Sequence, residues 1–129
     1  MKTRILVVDD EPGFTTLLKY SLEGEGYYEV REENDSTHAL EAAREFGPDV
    51  VILDVMMPDV DGSDVAARLR EDARFAHTPI IFLTALALGN DAPGGIPKKG
   101  GQTYLPKDTP LDELIDFIEE KLADAAAPK

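Results

Sequence analysis

Asp9 and Asp10 follow a run of apolar residues, Ile5-Leu6-Val7-Val8. Asp54 closes a second run, Val50-Val51-Ile52-Leu53, and Thr84 a third, Ile80-Ile81-Phe82-Leu83. Lys107 stands just past a shorter stretch, Thr103-Tyr104-Leu105. If these runs are strands of one parallel sheet, the acids, the hydroxyl and the ammonium gather on one rim, where open α/β sheets bind their ligands. Carboxylates crowded in this way repel and raise one another's pKa unless a cation sits among them. Oxygen donors without His or Cys select a hard ion, Mg²⁺ first, held by a few carboxylates with waters completing its shell. Beside such an ion a carboxylate can act as a nucleophile toward phosphorus. A hydroxyl and a lysine can then bind the equatorial phosphoryl oxygens, because phosphoryl transfer is mostly positioning and charge neutralisation.

The elements that must position these groups alternate. The apolar runs are continuous, as in strands buried on both faces. Between them lie helical patterns. Phe14, Leu17, Leu18 and Leu22 follow a 3–4 spacing closed by Gly24 and Gly26, and a second helix is expected from about Ser36 to Glu45, stopped by Gly47-Pro48. Tyr28-Glu29-Val30-Arg31 reads as a more exposed strand, and Asp61-Gly62 opens a helix carrying Val65, Ala66 and Leu69. The last helix carries Leu111, Leu114, Ile115, Ile118 and Leu122, with Thr109 expected as N-cap, Pro110 at its first position and Asp112 as the capping-box acid. Strand–helix alternation of this kind means a parallel sheet with helices on both faces. Between 89 and 101 the density of Gly and Pro is incompatible with a regular helix, so an irregular loop is expected where the alternation would place one.

Composition narrows the classes. The chain has 129 residues, one domain's worth. With 13 basic and 26 acidic residues its formal charge is −13, which argues against nucleic-acid binding by this domain. There are no cysteines, hence no disulfides and no thiolate metal sites, compatible with a cytoplasmic location. The short apolar run after the basic N-terminus does not read as a secretory signal, and no segment approaches membrane-spanning length.

In order and spacing, Ile5 to Pro12, Asp54-Val55-Met56-Met57-Pro58-Asp59-Val60-Asp61-Gly62, Thr84-Ala85 and Tyr104-Leu105-Pro106-Lys107 resemble the signature of two-component response-regulator receiver domains. The likeness runs from Met1 to Leu122, giving a receiver domain over 1–122 and a C-terminal tail or linker over 123–129. It implies a flavodoxin-like, doubly wound five-stranded parallel sheet of order 2-1-3-4-5, with the fourth helix replaced or shortened by the Gly/Pro-rich loop. It also implies roles: Asp54 as phosphoacceptor, Asp10 as a direct Mg²⁺ ligand, Asp9 largely through water, and the Met56 carbonyl completing the protein ligands. Thr84 and Lys107 would contact the phosphoryl group, Thr84 swinging toward it and Tyr104 rotating inward. The donor would be a sensor histidine kinase or a histidine phosphotransfer protein. The module would be no enzyme beyond its own phosphorylation and dephosphorylation, with no membrane partner.

Two features depart from the family pattern. Asp108 stands where proline usually follows the lysine, and a cis bond before a non-proline residue costs roughly 3 kcal/mol, so a trans bond with altered loop geometry or a strained cis bond is expected. The rewritten segment 89–101 alters a surface that receivers commonly use for readout. Met56 and Leu86, apolar residues expected to flank the phosphorylated site, cannot orient a hydrolytic water, which predicts slow self-dephosphorylation. Two rival readings are a Mg²⁺-dependent aspartyl phosphatase, which would place its acids as Asp-x-Asp after the first strand, and a degenerate receiver used as a phosphorylation-independent scaffold. Glu11 reads as a solvated helix-start charge, and His38 and His77 as surface residues. Asp59-x-Asp61-Gly62 lacks the acids of a calcium loop, and Gly95 to Gly100 lacks the Lys-Ser/Thr of a P-loop.

Overall fold

A computed structural model describes residues 2–58, 60–85, 98–99 and 102–126. The strands are β1 (Thr3–Val8), β2 (Tyr28–Glu33), β3 (Val50–Asp54), β4 (Ile80–Thr84), β5 (Lys98–Lys99) and β6 (Gln102–Pro106). The helices are α1 (Pro12–Glu23), α2 (Ala39–Phe46), α3 (Gly62–Glu71) and α4 (Leu111–Ala126). The sheet order is β2-β1-β3-β4-β6-β5. Five strands run parallel, in the expected flavodoxin-like order, and the two-residue β5 pairs antiparallel on the β6 edge. That edge strand was not anticipated. It occupies part of the 89–101 stretch, whose remainder lies outside the described residues. Among the described residues, four α-helices cover the sheet. None is long and apolar enough to cross a membrane.

The apolar runs are buried on both faces because their residues serve two cores in alternation. Leu6 and Val8 of β1, with Val51 and Leu53 of β3, pack against Ala39, Ala42 and Ala43 of α2 and Val65, Ala66 and Leu69 of α3. Ile5 and Val7, with Val50 and Ile52, pack on the opposite face against Leu18 and Leu22 of α1 and Leu114 and Ile118 of α4. Each Val, Leu or Ile side chain so removed from water contributes roughly 1.5–3 kcal/mol, and each alanine less. A one-residue slip of a strand would exchange the two sets, so the register that aligns the strand ends is firmly held. Tyr28 ties β2 to α4 by donating from its hydroxyl to Glu119 at 2.6 Å.

Two helix starts differ from expectation. Ser36–His38 forms a 3-10 turn before α2 proper, because Asp35 caps that turn by accepting from the Thr37 N–H at 2.9 Å. The last helix begins at Leu111, one residue later than expected. The Thr109 hydroxyl donates instead to the Pro106 carbonyl at 2.6 Å, which draws Thr109 into the turn after β6. Asp61 caps α3 by accepting from the Asp64 N–H at 3.1 Å.

Candidate functional site

The parallel register aligns the strand ends: Val8 pairs with Leu53 on one side of β3, and Asp54 pairs with Leu83 on the other. The residues at and just after these ends open onto a cleft of ≈ 260 Å³ lined by Asp10, Glu11, Asp54, Met56, Thr84, Ala85 and Lys107. Asp9 is buried just beneath, at 1% exposure, while Asp54 and Thr84 are at 5% and 3%. One carboxylate oxygen from each of Asp9, Asp10 and Asp54 lies within 4.8 Å of the others.

Each loop is shaped locally. The Asp9 carboxylate turns back to accept the Glu11 N–H at 3.0 Å, which starts α1 with Pro12 next in line. After β3 the chain folds back sharply: the Gly62 N–H donates to the Val55 carbonyl at 3.0 Å. A Cβ on Gly62 would run into the backbone carbonyl of Asp54, so glycine is required there by space. After β6 the Lys107 N–H donates to the Thr84 carbonyl at 2.9 Å, and the Thr109 N–H to the Pro106 carbonyl at 3.1 Å. The Lys107–Asp108 peptide is trans. The trans turn still delivers the lysine: its Nζ lies 2.7 Å from Asp9 Oδ2, 2.7 Å from Glu11 Oε1 and 3.5 Å from Asp54 Oδ2. The same ammonium sits 4.8 Å from the Phe14 ring centroid.

The electrostatics follow from burial. Desolvation, then the neighbouring Asp9 charge, push the Asp54 carboxyl up to about 6, against a partial offset from Lys107. Burial also raises Asp9, more than the adjacent Lys107 ammonium and the Glu11 N–H lower it. For Lys107 burial acts downward, but Asp9, Glu11 and Asp54 outweigh it and hold the ammonium above the ordinary lysine range. Asp9 Oδ2 is buried with no donor aligned to it as a hydrogen bond, although Lys107 Nζ is at ion-pair distance. An all-oxygen cluster with an under-satisfied buried acceptor fits a hard divalent cation.

The structure thus brings Asp9, Asp10, Asp54, Thr84 and Lys107 onto one rim with the Met56 backbone beside them, Met56 donating its N–H to the Asp54 carboxylate. Tyr104 stands one strand away. It is half-buried, with its ring stacked on Phe82 at 4.8 Å and an interplanar angle of 16°. Glu11 is exposed yet bound to Lys107, an engagement its place at a helix start did not signal. Leu86 lies outside the described residues. His38 faces Asp35 on the exposed surface at 3.6 Å.

A doubly wound parallel sheet carrying three acids, a threonine and a lysine at its carboxyl rim defines a class, and comparison with known proteins gives the family. The response regulator receiver domain family matches residues 5–119, and the chain belongs to it. It is 40% identical over 112 residues to the transcriptional regulatory protein TrcR of Mycobacterium tuberculosis, covering 87% of this chain and 42% of that protein. The chain thus spans less than half of that relative. Among solved structures it resembles a putative response regulator from Chloroflexus aurantiacus, with a TM-score of 0.79 and 30% identity over 95% of this chain and 99% of that one. It also resembles the receiver domain of the sensor histidine kinase PA1611 from Pseudomonas aeruginosa, with a TM-score of 0.79 and 27% identity over 95% and 99%. That structure has a magnesium ion coordinated in its active-site cleft.

Proposed function

We propose that this receiver domain is a phosphorylation switch in which Asp54 accepts a phosphoryl group from a phosphohistidine on a sensor kinase or a phosphotransfer protein. The observation that carries the reading is the Asp54 carboxylate at the floor of the acid-lined cleft, within 3.5 Å of Lys107. An Asp54 oxygen would form the new bond to phosphorus as the bond from phosphorus to the donor's imidazole nitrogen breaks, leaving histidine. Asp10, Asp54 and the Met56 carbonyl would hold Mg²⁺, with Asp9 acting largely through water. When bound, the ion supplies charge neutralisation at the phosphoryl oxygens.

The chain's own groups do the rest. Lys107 moves its charge from Asp9 and Glu11 toward the new phosphoryl oxygens, and Thr84, one strand over, offers its hydroxyl to another. Tyr104, on the strand paired with β4, is the residue that would register the shift of Thr84. With an Asp54 pKa of about 6 the nucleophile is mostly ionised at neutral pH even before a cation joins it. The reading makes the module a catalyst of its own phosphorylation and dephosphorylation only, working in the cytoplasm beside its donor and binding no nucleic acid or membrane itself. Its packed unit ends near Leu122, whose side chain still covers the α1–α4 core, while Ala123 to Ala125 are exposed. Incubation with Mg²⁺ and acetyl phosphate, or with beryllofluoride, tests the proposal. Asp54-dependent modification supports it. Its absence from folded protein would return the domain to the scaffold reading.

A further inference from the structure

The segment between β2 and α2 touches both loops that bear the acids, from behind. Asn34 donates from Nδ2 to the backbone carbonyl of Asp9 at 2.8 Å and to the buried Thr15 hydroxyl at 3.0 Å. Because a carbonyl can only accept, the orientation of the Asn34 amide is settled by this contact. Thr15, fully buried in α1, passes its own proton to Glu32 at 2.7 Å, which also takes the Thr16 hydroxyl at 2.9 Å. Two residues beyond Asn34, the Ser36 hydroxyl, on a residue 5% exposed, donates to the Pro58 carbonyl at 3.1 Å. Pro58 lies in the β3–α3 loop two residues after Met56, and Asp9 is the first residue after β1. One short turn therefore grips the backbone of the Asp9–Asp10 loop at one end and of the Met56–Pro58 loop at the other.

The turn is itself stiff. Asp35, between the two gripping residues, accepts from the Thr37 N–H at 2.9 Å and from the Thr37 hydroxyl at 2.6 Å, and the Asp35 N–H donates to Glu33 at 3.1 Å. The Asp9 N–H is in turn bonded to the Glu33 carbonyl at 3.1 Å. We infer that Asn34 and Ser36 form a positioning brace that sets the separation between the two loops and so preorganises their oxygens for a divalent cation. Neither side chain would itself be a ligand of the cation. They act through the carbonyls of Asp9 and Pro58, as outer-shell partners of ligands do elsewhere, where their loss costs roughly ten- to a hundredfold in metal affinity. The inference rests on the magnesium reading above.

The test is calorimetric titration of Mg²⁺ into wild type, S36A, N34A, the double variant, S36T and the distant core variant I118V, each confirmed folded by circular dichroism. Wild type binds. S36A and N34A should bind about tenfold more weakly, S36T should recover most of the loss because it keeps the hydroxyl, and I118V, destabilised but remote, should bind as wild type. Since one rigid turn joins the loops, cutting either end releases it, so the double variant should be within about twofold of the weaker single variant. Single variants that bind like wild type, an S36T no better than S36A, or losses that multiply in the double variant would each overturn the brace while leaving the magnesium reading intact. A wild type that binds no Mg²⁺ would remove the magnesium reading and the brace with it.

Discussion

Replacing Asp54 by asparagine should make the metal-free protein more stable at neutral pH. The carboxyl is 5% exposed and is held at about 6, against an ordinary 3.8, by desolvation first and the Asp9 charge second. From 3.8 to about 6 is roughly two units at ~1.4 kcal/mol each, so ionising Asp54 costs the fold up to about 3 kcal/mol. The direction follows from proton counting. Between roughly pH 4 and pH 6 the folded state binds more protons than the unfolded chain, so stability falls as pH rises through that window and the full cost stands above it. The attraction of Lys107 is already included in that net shift, so losing it with the charge does not reverse the sign. Asparagine keeps the size and removes the charge. We expect a gain of about 1–3 kcal/mol near pH 7.5 in EDTA, shrinking toward zero near pH 4, where wild type carries the proton itself. In a domain of this size that is roughly 3–10 °C in melting temperature. Urea and thermal unfolding of both proteins across pH would measure it. A variant less stable than wild type at pH 7.5, or a gain that does not vary with pH, would refute the desolvation argument.

Removing the Lys107 ammonium as K107M should destabilise the metal-free protein by roughly 2–4 kcal/mol at neutral pH, because Asp9 and Asp54 lose their buried counter-charge, and acid should restore part of it. The same variant should bind Mg²⁺ several-fold more tightly by calorimetry, since the ammonium contacts the Asp9 oxygen a cation would neutralise. G62A should cost roughly 2–4 kcal/mol in urea unfolding, because its Cβ meets the Asp54 carbonyl and the backbone must move. Y28F should cost about 1 kcal/mol by the same assay, the worth of its bond to Glu119. Phosphorylated protein should lose its phosphoryl group slowly, and M56N, which puts a polar side chain beside Asp54, should speed the loss several-fold in a timed mass-spectrometric assay.

The legible part of this protein is the part written in local pattern. Apolar runs such as Ile5-Leu6-Val7-Val8 fill two cores by alternation, so their identity as central strands, and the acids at their ends, could be read in advance. The trans turn after Lys107 was one of two alternatives; what decides it is the pair of bonds to the Pro106 carbonyl and the Lys107 N–H bonded to Thr84, contacts across strands that no local spacing encodes. Glu11 looked like a helix-start charge and its grip on Lys107 depends on two residues 96 apart in sequence meeting at the rim. Asn34 and Ser36 gave no signal for a similar reason: their partners, Asp9 and Pro58, become neighbours only because β1 lies between β2 and β3. Two short polar residues before a helix are ordinary turn chemistry until the sheet order is known. The antiparallel Lys98–Lys99 edge was hidden by the glycines and prolines around it.

The central claim is that Asp54 is the nucleophile, and mass spectrometry of the protein after incubation with acetyl phosphate tests it most directly. The account predicts a gain of one phosphoryl group, mapped to Asp54 after borohydride trapping, present with Mg²⁺, absent with EDTA and absent in D54N. Folded wild-type protein that gains nothing, or a D54N protein that gains the group as readily as wild type, would contradict it.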